Sequence, residues 1–359
     1  MHKQTAIVTI FLFLIIFATS MHGDIRAVWV PLWEITTLEK ADTVFTELSK
    51  HNVNQILLQV RYRGDTGYIP NRYNNFYPNP EKRYHALKDS LFDPLDYFIK
   101  KGRAADMEVH AWFTVFVITG HDLTVFDSTH VYFSNPDWVT TNYSQTPMNY
   151  ELLEGAFFDP GIPAVQNYTF NVLMDIVANY DIDGVHLDYI RYPGQDYGYN
   201  KLAVEKYKQD IKLQDAKNWQ NWKEKQVSNF VQKVYDKVKA ISEHLQVTAA
   251  VLTDPDDARE YYSQNWLEWL EQEFIDKVYL MAYTTSTSSL EKQLTYLSNL
   301  DMNDKIVVGL KSWSESDKYP AYKINEKIML SQKMEFAGYA LFSYSGIRQS
   351  EYFKELKMK

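Results

Sequence analysis

The sequence predicts a (β/α)8 barrel, and three observations lead to this fold class. Apolar, β-branched and aromatic runs alternate with helical patterns eight times between residues 26 and 358. The runs are apolar almost throughout, as is typical of parallel strands that are buried on both faces. Eight such units suit a closed barrel. The alternative, an open doubly wound sheet, usually carries a Gly-rich phosphate turn after its first strand, and the chain contains no GxGxxG sequence.

The first four predicted strands combine β-branched and aromatic residues in short runs, which is the composition of a strand. They are residues 26–34 (RAVWVPLWE), 54–61 (NQILLQVR), 108–117 (EVHAWFTVFV) and 182–190 (IDGVHLDYI). The helical patterns that follow them span residues 38–51, 94–106, 163–180 and 221–244.

The second half of the chain repeats this alternation with shorter loops. Its predicted strands are residues 246–253 (QVTAAVLT), 275–284 (IDKVYLMAYT), 305–313 (KIVVGLKSW) and 338–345 (GYALFSYS). The helical patterns after them span residues 265–273, 290–300, 324–334 and 351–358. We therefore expect a single barrel domain over residues 24–359.

Residues 1–23 have the pattern of a secretory signal peptide. Lys3 precedes the apolar run 6–18, and the small-x-small pattern Ala18-Thr19-Ser20 follows it. The run is shorter than the ~20 residues that a membrane-spanning helix needs. We expect an exported protein, periplasmic or extracellular, with no membrane span after cleavage. An uncleaved N-terminal anchor is the alternative.

The composition argues against several classes of protein. Lys and Arg number 37 against 46 Asp and Glu, giving a net charge of −9, so a nucleic-acid partner is not expected. The absence of Cys excludes a disulfide framework, a thiolate zinc site and a Cys nucleophile. The nine His are scattered without an HxH or HExxH pattern, so we predict neither a metal nor a cofactor.

Aromatic residues make up 15% of the chain and are frequent in three long loops, residues 62–92, 119–162 and 191–220. Each loop follows a strand, so in a barrel it lies on the C-terminal face, where active sites lie. Flat rings with polar tips suit the faces and edges of sugars, which predicts a groove for a polysaccharide or oligosaccharide. The alternative is that the rings only pack the loops together. The rings expected to face the groove include Tyr68, Trp138, Tyr197 and Trp313.

Polar residues stand at the predicted C-terminal ends of the strands, and a barrel converges these ends on one pocket. Glycoside hydrolysis needs two carboxyl groups, and Glu34, Asp188 and Asp254 occupy such ends. Asp188 is the leading catalytic candidate, because an unused carboxylate among apolar strand residues is costly to bury. For Glu34 and Asp254 the alternative role is a loop cap or a salt bridge. The other residues at strand ends, which we predict to bind substrate, are Arg61, His110, Trp112, His186, Tyr283, Trp313 and Tyr344.

Residues 183–193, DGVHLDYIRYP, resemble the strand-four signature of glycosyl-hydrolase-like family 10, exported bacterial proteins related to enzymes that cut glycan strands. Further motifs in the family's order are RAVWV (26–30), QVRYRGD (59–65), VHAWF (109–113), FDPGIP (158–163), YGYN (197–200), MAYT (281–284) and LFSY (341–344). The resemblance covers nearly the whole chain after residue 23 and implies a (β/α)8 barrel with a glycosidase-like pocket. It adds Asp65, Asp159 and Arg191 to the predicted substrate-binding residues.

Two positions depart from related patterns. Some family members carry two successive acids on strand four, whereas the second position here is Tyr189. The motif also resembles that of family 18 chitinases, which ends in a catalytic Glu, but the matching residue is Ile190. Chitinase-type substrate-assisted chemistry is therefore not expected. The proton donor must come from elsewhere, or the protein binds glycans without cutting them.

The sequence thus predicts a secreted or periplasmic glycoside hydrolase that cleaves a polysaccharide with paired carboxylates. A peptidoglycan-type glycan is a candidate substrate. Asp188 is the expected nucleophile, base or electrostatic stabiliser, Glu34 its first partner and Asp254 the second choice. The competing class is a non-catalytic glycan-binding barrel, and a third is another hydrolase or lyase on the same fold.

Overall fold

The computed structural model describes residues 24–213, 219–314 and 319–358. The predicted signal peptide, residues 1–23, lies outside these ranges. In the part of the chain that the structure describes, the helices are too short or too polar to cross a membrane.

Parallel strands close into an eight-stranded barrel, which confirms the predicted fold class. The strands of the barrel are β1 (Ile25–Val30), β2 (Gln55–Tyr62), β4 (Glu108–Thr114), β5 (Gly184–Asp188), β6 (Gln246–Val251), β7 (Lys277–Ala282), β8 (Ile306–Lys311) and β9 (Gly338–Phe342). Each pairs in parallel with its neighbours, and β1 closes the ring by pairing with both β2 and β9. The short β3 (Asp65–Thr66) turns back antiparallel on β2.

Helices connect successive strands and cover the outside of the barrel, as the alternating pattern predicts. The described α-helices are α1 (Leu38–Lys50), α2 (Pro94–Ala104), α3 (Val131–Ser134), α4 (Pro163–Asn179), α5 (Lys201–Leu213), α6 (Trp219–Ile241), α7 (Pro255–Tyr262), α8 (Trp266–Glu271), α9 (Thr287–Ser298), α10 (Ala321–Lys333) and α11 (Tyr344–Gln349). A large apolar layer fills the space between them and the strands.

Four elements differ from the sequence expectation as follows. The first strand ends at Val30, because Pro31 lacks a backbone N–H and residues 32–34 form a 3-10 turn. Helix α7 begins at Pro255 after an Asp cap, a start signal inside a predicted loop. Helix α5 likewise lies within a predicted loop, and the expected final helix over residues 351–358 is only a 3-10 turn after α11.

Side chains fill the inside of the barrel, so a pocket can open only at its ends. The interior apolar cluster consists of Ala27, Trp29, Leu57, Trp112, Tyr279, Val307 and Ala340. The indoles of Trp29 and Trp112 both pack edge-on against Phe342, at centroid distances of 5.7 and 6.1 Å. These rings form the floor beneath the C-terminal mouth.

Candidate active site

Asp188 is the last residue of β5, and two neutral donors hold its carboxylate. Its Oδ2 accepts a hydrogen bond from Trp112 Nε1 at 2.9 Å, and its Oδ1 accepts one from the Tyr189 backbone N–H at 2.8 Å. Tyr189 adopts a left-handed backbone conformation with φ 52°, which turns the chain sharply after the strand. The carboxylate is therefore fixed at the barrel mouth, with 7% of the residue exposed.

Burial raises the pKa of Asp188 above its usual range, because removal from water disfavours the charged form. The hydrogen bonds from Trp112 and Tyr189 oppose this shift, as does the positive charge of Arg191. Such a carboxyl group is tuned by its surroundings, which is typical of an acid–base or electrostatic role in a glycosidase.

A group of rings that we call the aromatic bowl, Trp112, Tyr283, Trp313 and Phe342, surrounds this position. Tyr283 stacks on Phe342 at 5.2 Å and meets Trp313 edge-on at 5.6 Å. Burial, and after it the negative charge of Asp188, raises the pKa of Tyr283. The Lys311 Nζ lies 4.3 Å from the centre of the Trp313 ring. The bowl thus offers apolar ring faces beside one carboxylate.

Arg191 is nearly buried beside Asp188 and is held mainly by rings. Its guanidinium lies 5.3 Å from the Tyr189 ring and 5.2 Å from the Tyr262 ring. Its Nη2 is 3.6 Å from Glu154 Oε1. This ion pair brings a second carboxylate, Glu154, to the mouth, and its negative charge raises the pKa of Asp188.

Sequence reasoning missed Glu154, which lies within the long loop before α4. The local signal is Gly155, whose φ of 116° and close approach to the Thr119 carbonyl leave no room for a side chain. This glycine lets the loop pack against the segment that follows β4, but nothing in the sequence shows where the neighbouring carboxylate points.

Glu34, the first predicted partner of Asp188, is engaged elsewhere. Its Oε1 accepts hydrogen bonds from Ser345 Oγ at 2.7 Å and from Arg348 Nη2 at 3.0 Å. Among the described residues, neither a hydrogen bond nor an ion pair joins Glu34 to Asp188. The structure therefore places Glu34 in a salt bridge, the alternative role, and its catalytic role stays a prediction.

Asp254, the second predicted partner, caps helix α7. Its Oδ1 accepts hydrogen bonds from the backbone N–H groups of Asp256 and Asp257, both at 3.0 Å. The residue is exposed. Its geometry is that of an N-cap carboxylate, so a catalytic role for Asp254 also stays a prediction without support from these contacts.

Arg61 is fully buried and is not at the open mouth. Its Nη2 lies 2.6 Å from Glu81 Oε1, and its Nε contacts both oxygens of Glu81 at 2.9 Å. Its Nη1 donates to the carbonyls of Thr114 and Val115 at 2.5 and 3.1 Å. The pair ties the first long loop to the end of β4, which is a positioning role.

The two histidines predicted to bind substrate lie inside the barrel with no exposed surface. Trp29 Nε1 donates to His186 Nε2 at 3.1 Å, and His186 Nδ1 is 2.9 Å from Thr248 Oγ1. Burial lowers the pKa of His186, so the ring is neutral. His110 lies at the opposite end, where its Nε2 is 3.3 Å from Glu108 Oε2.

Asp159 and Tyr344 hold the scaffold together. Asp159 is fully buried and accepts hydrogen bonds from the Gly161 N–H at 2.9 Å and from Thr140 Oγ1 at 3.0 Å. The buried Tyr344 hydroxyl donates to Glu47 on α1. Asp65 lies in the wall of a cavity between the loop that follows β2 and the loop that follows β4.

The three rings of the long loops that were expected at the groove pack the loops against the core, which is the alternative role considered for them. Tyr68 is completely buried, and Trp138 packs edge-on against Phe158 and Tyr168 at 5.5 and 5.6 Å. Tyr197 packs partly buried against the main core. Trp313 lies in the aromatic bowl, so at the mouth the groove depends on rings from strand ends rather than from these loops.

The described side chains also allow a test for a metal centre. Within residues 24–213, 219–314 and 319–358, no group of three or more His, Asp or Glu side chains is placed to hold a metal ion. The arrangement at the mouth is instead one fixed carboxylate, a second carboxylate on a loop, a guanidinium and four rings.

Two curated relatives match this chain at low sequence identity and over only part of their own length. The glycosyl hydrolase YngK of Bacillus subtilis (strain 168) is 26% identical over 209 residues, which cover 56% of this chain and 37% of that protein. The glycosyl hydrolase DigH of Escherichia coli (strain K12) is 28% identical over 116 residues, covering 29% of this chain and 24% of that protein. The matches thus span well under half the length of these relatives.

Solved structures share the barrel. The PgaB (BpsB) glycoside hydrolase domain from Bordetella bronchiseptica superposes with a TM-score of 0.70 at 14% identity, covering 93% of this chain and 98% of that one. Alpha-L-fucosidase isoenzyme 2 from Paenibacillus thiaminolyticus gives 0.65 at 14% identity, covering 92% of this chain and 48% of that one. At such identities the likeness shows the fold alone.

The family resemblance noted in the sequence is confirmed by a model of the family as a whole. The model described as glycosyl hydrolase-like 10 matches residues 24–332, which include every strand of the barrel except β9. The chain therefore belongs to the glycosyl hydrolase-like 10 family.

Proposed function

We propose that the protein is an exported glycoside hydrolase that cleaves a polysaccharide at the C-terminal mouth of its barrel. The observation that carries the proposal is the buried carboxylate of Asp188, fixed by Trp112 Nε1 and bordered by the aromatic bowl. Family membership and the printed names of the curated relatives support a glycan substrate. The signal-peptide pattern of residues 1–23 supports export.

Asp188 is assigned the role of nucleophile, base or electrostatic stabiliser. Glycoside hydrolysis passes through a state with positive charge on the sugar ring, and a nearby carboxylate stabilises it. The neutral donors on both oxygens of Asp188 fix its orientation without cancelling its charge. A sugar that rests on the bowl also displaces water, which strengthens the attraction between carboxylate and ring.

Glu154 is the partner that the geometry favours as proton donor. It is the second carboxylate whose charge reaches Asp188, and it sits on a loop at the edge of the mouth. Arg191 contacts it and can hold it in place. Glu34 and Asp254 remain the partners proposed from sequence, although their contacts belong to a salt bridge and a helix cap.

A peptidoglycan-type glycan, composed of amino sugars, is the first substrate to test. Arg191 and Lys311 stand at the mouth and offset the acidic net charge of the chain near a substrate that carries carboxylates. The two groups supply positive charge where the sugar chain enters.

The test is the release of reducing ends from a panel of purified glycans, including peptide-free peptidoglycan strands. The wild type should cleave at least one glycan, and Glu154→Gln should lower the rate by about a hundredfold or more, as for positioned acid–base groups. Glu151→Gln is the matched control, because Glu151 is exposed in the same loop and, among the described residues, hydrogen-bonds only with Asn149. A wild type that cleaves nothing in the panel would contradict the proposal.

The second candidate function is glycan binding without cleavage. It is favoured by one observation, that both sequence-predicted partners of Asp188 are engaged in structural contacts. Calorimetric titration separates the two functions, because a binding protein takes up oligosaccharide and releases no reducing ends. Tight binding together with no cleavage by the wild type would establish this candidate instead.

A further inference from the structure

A cavity of about 320 Å³ lies beside the barrel mouth, between the loop that follows β2 and the loop that follows β4. The lining residues that matter here are Asp65, Glu81, Lys82, Asp127, His130 and Tyr168. The proposed hydrolytic chemistry uses none of them. A cavity of this size is large enough for a small organic ligand.

Asp65 has no hydrogen-bond partner for its carboxyl group among the described residues, although only 5% of the residue is exposed. Burial is the largest cause that raises the pKa of Asp65, to about 8. The Asp65 oxygens are not among the fully buried atoms that lack a partner, so the carboxyl group of this largely buried residue opens to the cavity that it lines. A ligand in the cavity can therefore supply the donor that the protein does not.

The charges that act on Asp65 are mainly negative. Glu81 and Asp127 both raise its pKa, and Arg61 alone opposes them. The Arg61 guanidinium is already committed to Glu81 at 2.6 Å, and Asp127 is paired with Lys82 at 2.7 Å. Asp65 is thus the one of these acids that has no cation at ion-pair distance among the described residues.

The histidines of the cavity do not supply that cation. His130 Nε2 lies 3.1 Å from the Arg63 carbonyl, and its Nδ1 accepts a hydrogen bond from the Tyr132 N–H. Burial lowers the pKa of His130, and it also lowers the pKa of His85, so both rings are neutral near pH 7.

Two further polar side chains of the cavity hydrogen-bond to other groups. The Tyr168 hydroxyl donates to Glu81 Oε1 at 3.0 Å. The Arg83 Nη1 donates to the carbonyls of Asp89 and Ser90, both at 3.0 Å, and the Arg83 Nε is buried without a partner among the described residues. Arg83 is not among the charges that act on Asp65, so the Asp65 carboxyl group still lacks a donor with positive charge.

We propose that this cavity is a binding site for a primary ammonium group, which forms an ion pair with Asp65. An ammonium supplies a compact positive charge and three N–H donors, so it provides both things that Asp65 lacks. Glu81 and Asp127 add to the attraction. A small free amine and an unacetylated amino sugar carry the same group, and the experiment below separates these two sources. The site does not depend on hydrolysis at Asp188.

The experiment is isothermal titration of the full chain at pH 6.5 with three probes: a glucosamine tetrasaccharide, its N-acetylated counterpart and ethylammonium chloride. The amine probes should bind, and the N-acetylated one should not bind at this site. Because binding ionises a protonated Asp65, close to one proton should leave per bound amine, measured in buffers of different ionisation enthalpy. Binding of the tetrasaccharide alone identifies an amino-sugar site, and binding of both amines identifies a general ammonium site.

Asp65→Asn should weaken amine binding at least tenfold and abolish the proton release. Asp137→Asn is the matched control, because it removes one negative charge from an exposed position in the same loop region and should change neither quantity. If the variant does not fold, NMR of the wild type replaces it: the carboxyl carbon signal of Asp65 should shift when the amine is added. Failure of both amines to bind, equal affinity of Asp65→Asn, or an Asp65 signal unchanged by amine would overturn the proposal.

Discussion

Asp188 ends β5 and Glu34 lies in the 3-10 turn after β1, yet the two carboxylates have opposite surroundings. Asp188 receives hydrogen bonds from an indole and a backbone N–H, and none of the described ion pairs includes it. Glu34 is held by Arg348 at 3.0 Å and by the Ser345 hydroxyl. A carboxylate after a strand is therefore not enough to mark a catalytic group. The Glu34 carboxylate is hydrogen-bonded directly to a guanidinium, whereas the Asp188 carboxylate is held by neutral donors.

The largest expected effect is on the rate of glycan hydrolysis, and it distinguishes Asp188 from Glu34. Asp188→Asn should lower reducing-end release by about a hundredfold or more, because the amide keeps the shape and loses the charge. Glu34→Gln should leave the rate within a few-fold, since its charge serves Arg348. Both rates are measured on the glycan that the wild type cleaves best. An equal loss of hydrolysis rate in the two variants would contradict the different roles assigned to Asp188 and Glu34.

The next effect concerns the pH dependence that Trp112 gives to Asp188. The Trp112 N–H stabilises the ionised carboxylate and so lowers its pKa. Trp112→Phe removes this donor, so the pKa of Asp188 should rise and the ionised form should be lost at higher pH. The acidic limb of the kcat/KM profile should move upward by about one pH unit or more.

Trp138→Phe is the control for that profile, because the Trp138 ring packs against Phe158 and Tyr168 in a loop. Its acidic limb should coincide with that of the wild type. An unmoved limb in Trp112→Phe, at reduced rate, would show that the ionisation seen in the profile does not belong to Asp188.

A smaller effect, on the free energy of unfolding, is expected after the end of β6, where Asp254 caps α7. Asp254→Ala should lower the free energy of unfolding by about 1 kcal/mol, the usual value of a lost N-cap. Asp254→Asn should keep most of it, since an amide oxygen still accepts from the Asp256 and Asp257 N–H groups. Both are measured by urea unfolding. A loss of hydrolysis in either variant would show that Asp254 takes part in catalysis and is not only a helix cap.

The smallest effect on stability is expected from loss of the salt bridge between Arg348 and Glu34. The Arg348 side chain is 48% exposed, and such pairs contribute less than about 1 kcal/mol. Arg348→Ala should therefore change the unfolding midpoint only slightly and leave the rate close to that of the wild type. A large loss of activity would instead tie the Glu34 region to the substrate groove.

The barrel fold and the place of Asp188 at a strand end could be predicted, because both depend on short-range patterns in the sequence. Apolar runs of strand length alternate with helices, and Asp188 interrupts one run at its end. The depth of a side chain is harder to predict. His186 lies two residues before Asp188 on the same strand face, but at about 3.3 Å per residue it sits roughly 7 Å further into the barrel, where Trp29 and Thr248 enclose it.

The partners of the charged groups could not be predicted because they are distant in sequence. Arg348 is 314 residues from Glu34. Arg61 looked like a residue of the pocket, and only the path of the first loop shows that Glu81 covers it. Glu154 reaches the mouth through the fold of a long loop, which has no periodic pattern to indicate where its side chains point.

The central claim, that sugar binds on the aromatic bowl against Asp188, is tested most directly by a crystal structure of Asp188→Asn with an oligosaccharide of the cleaved glycan. We predict a sugar ring stacked on Tyr283 or Trp313, with its anomeric carbon about 3–3.5 Å from the side chain at position 188, the separation of a reactive geometry. An oligosaccharide bound elsewhere, with the mouth empty, would contradict the claim.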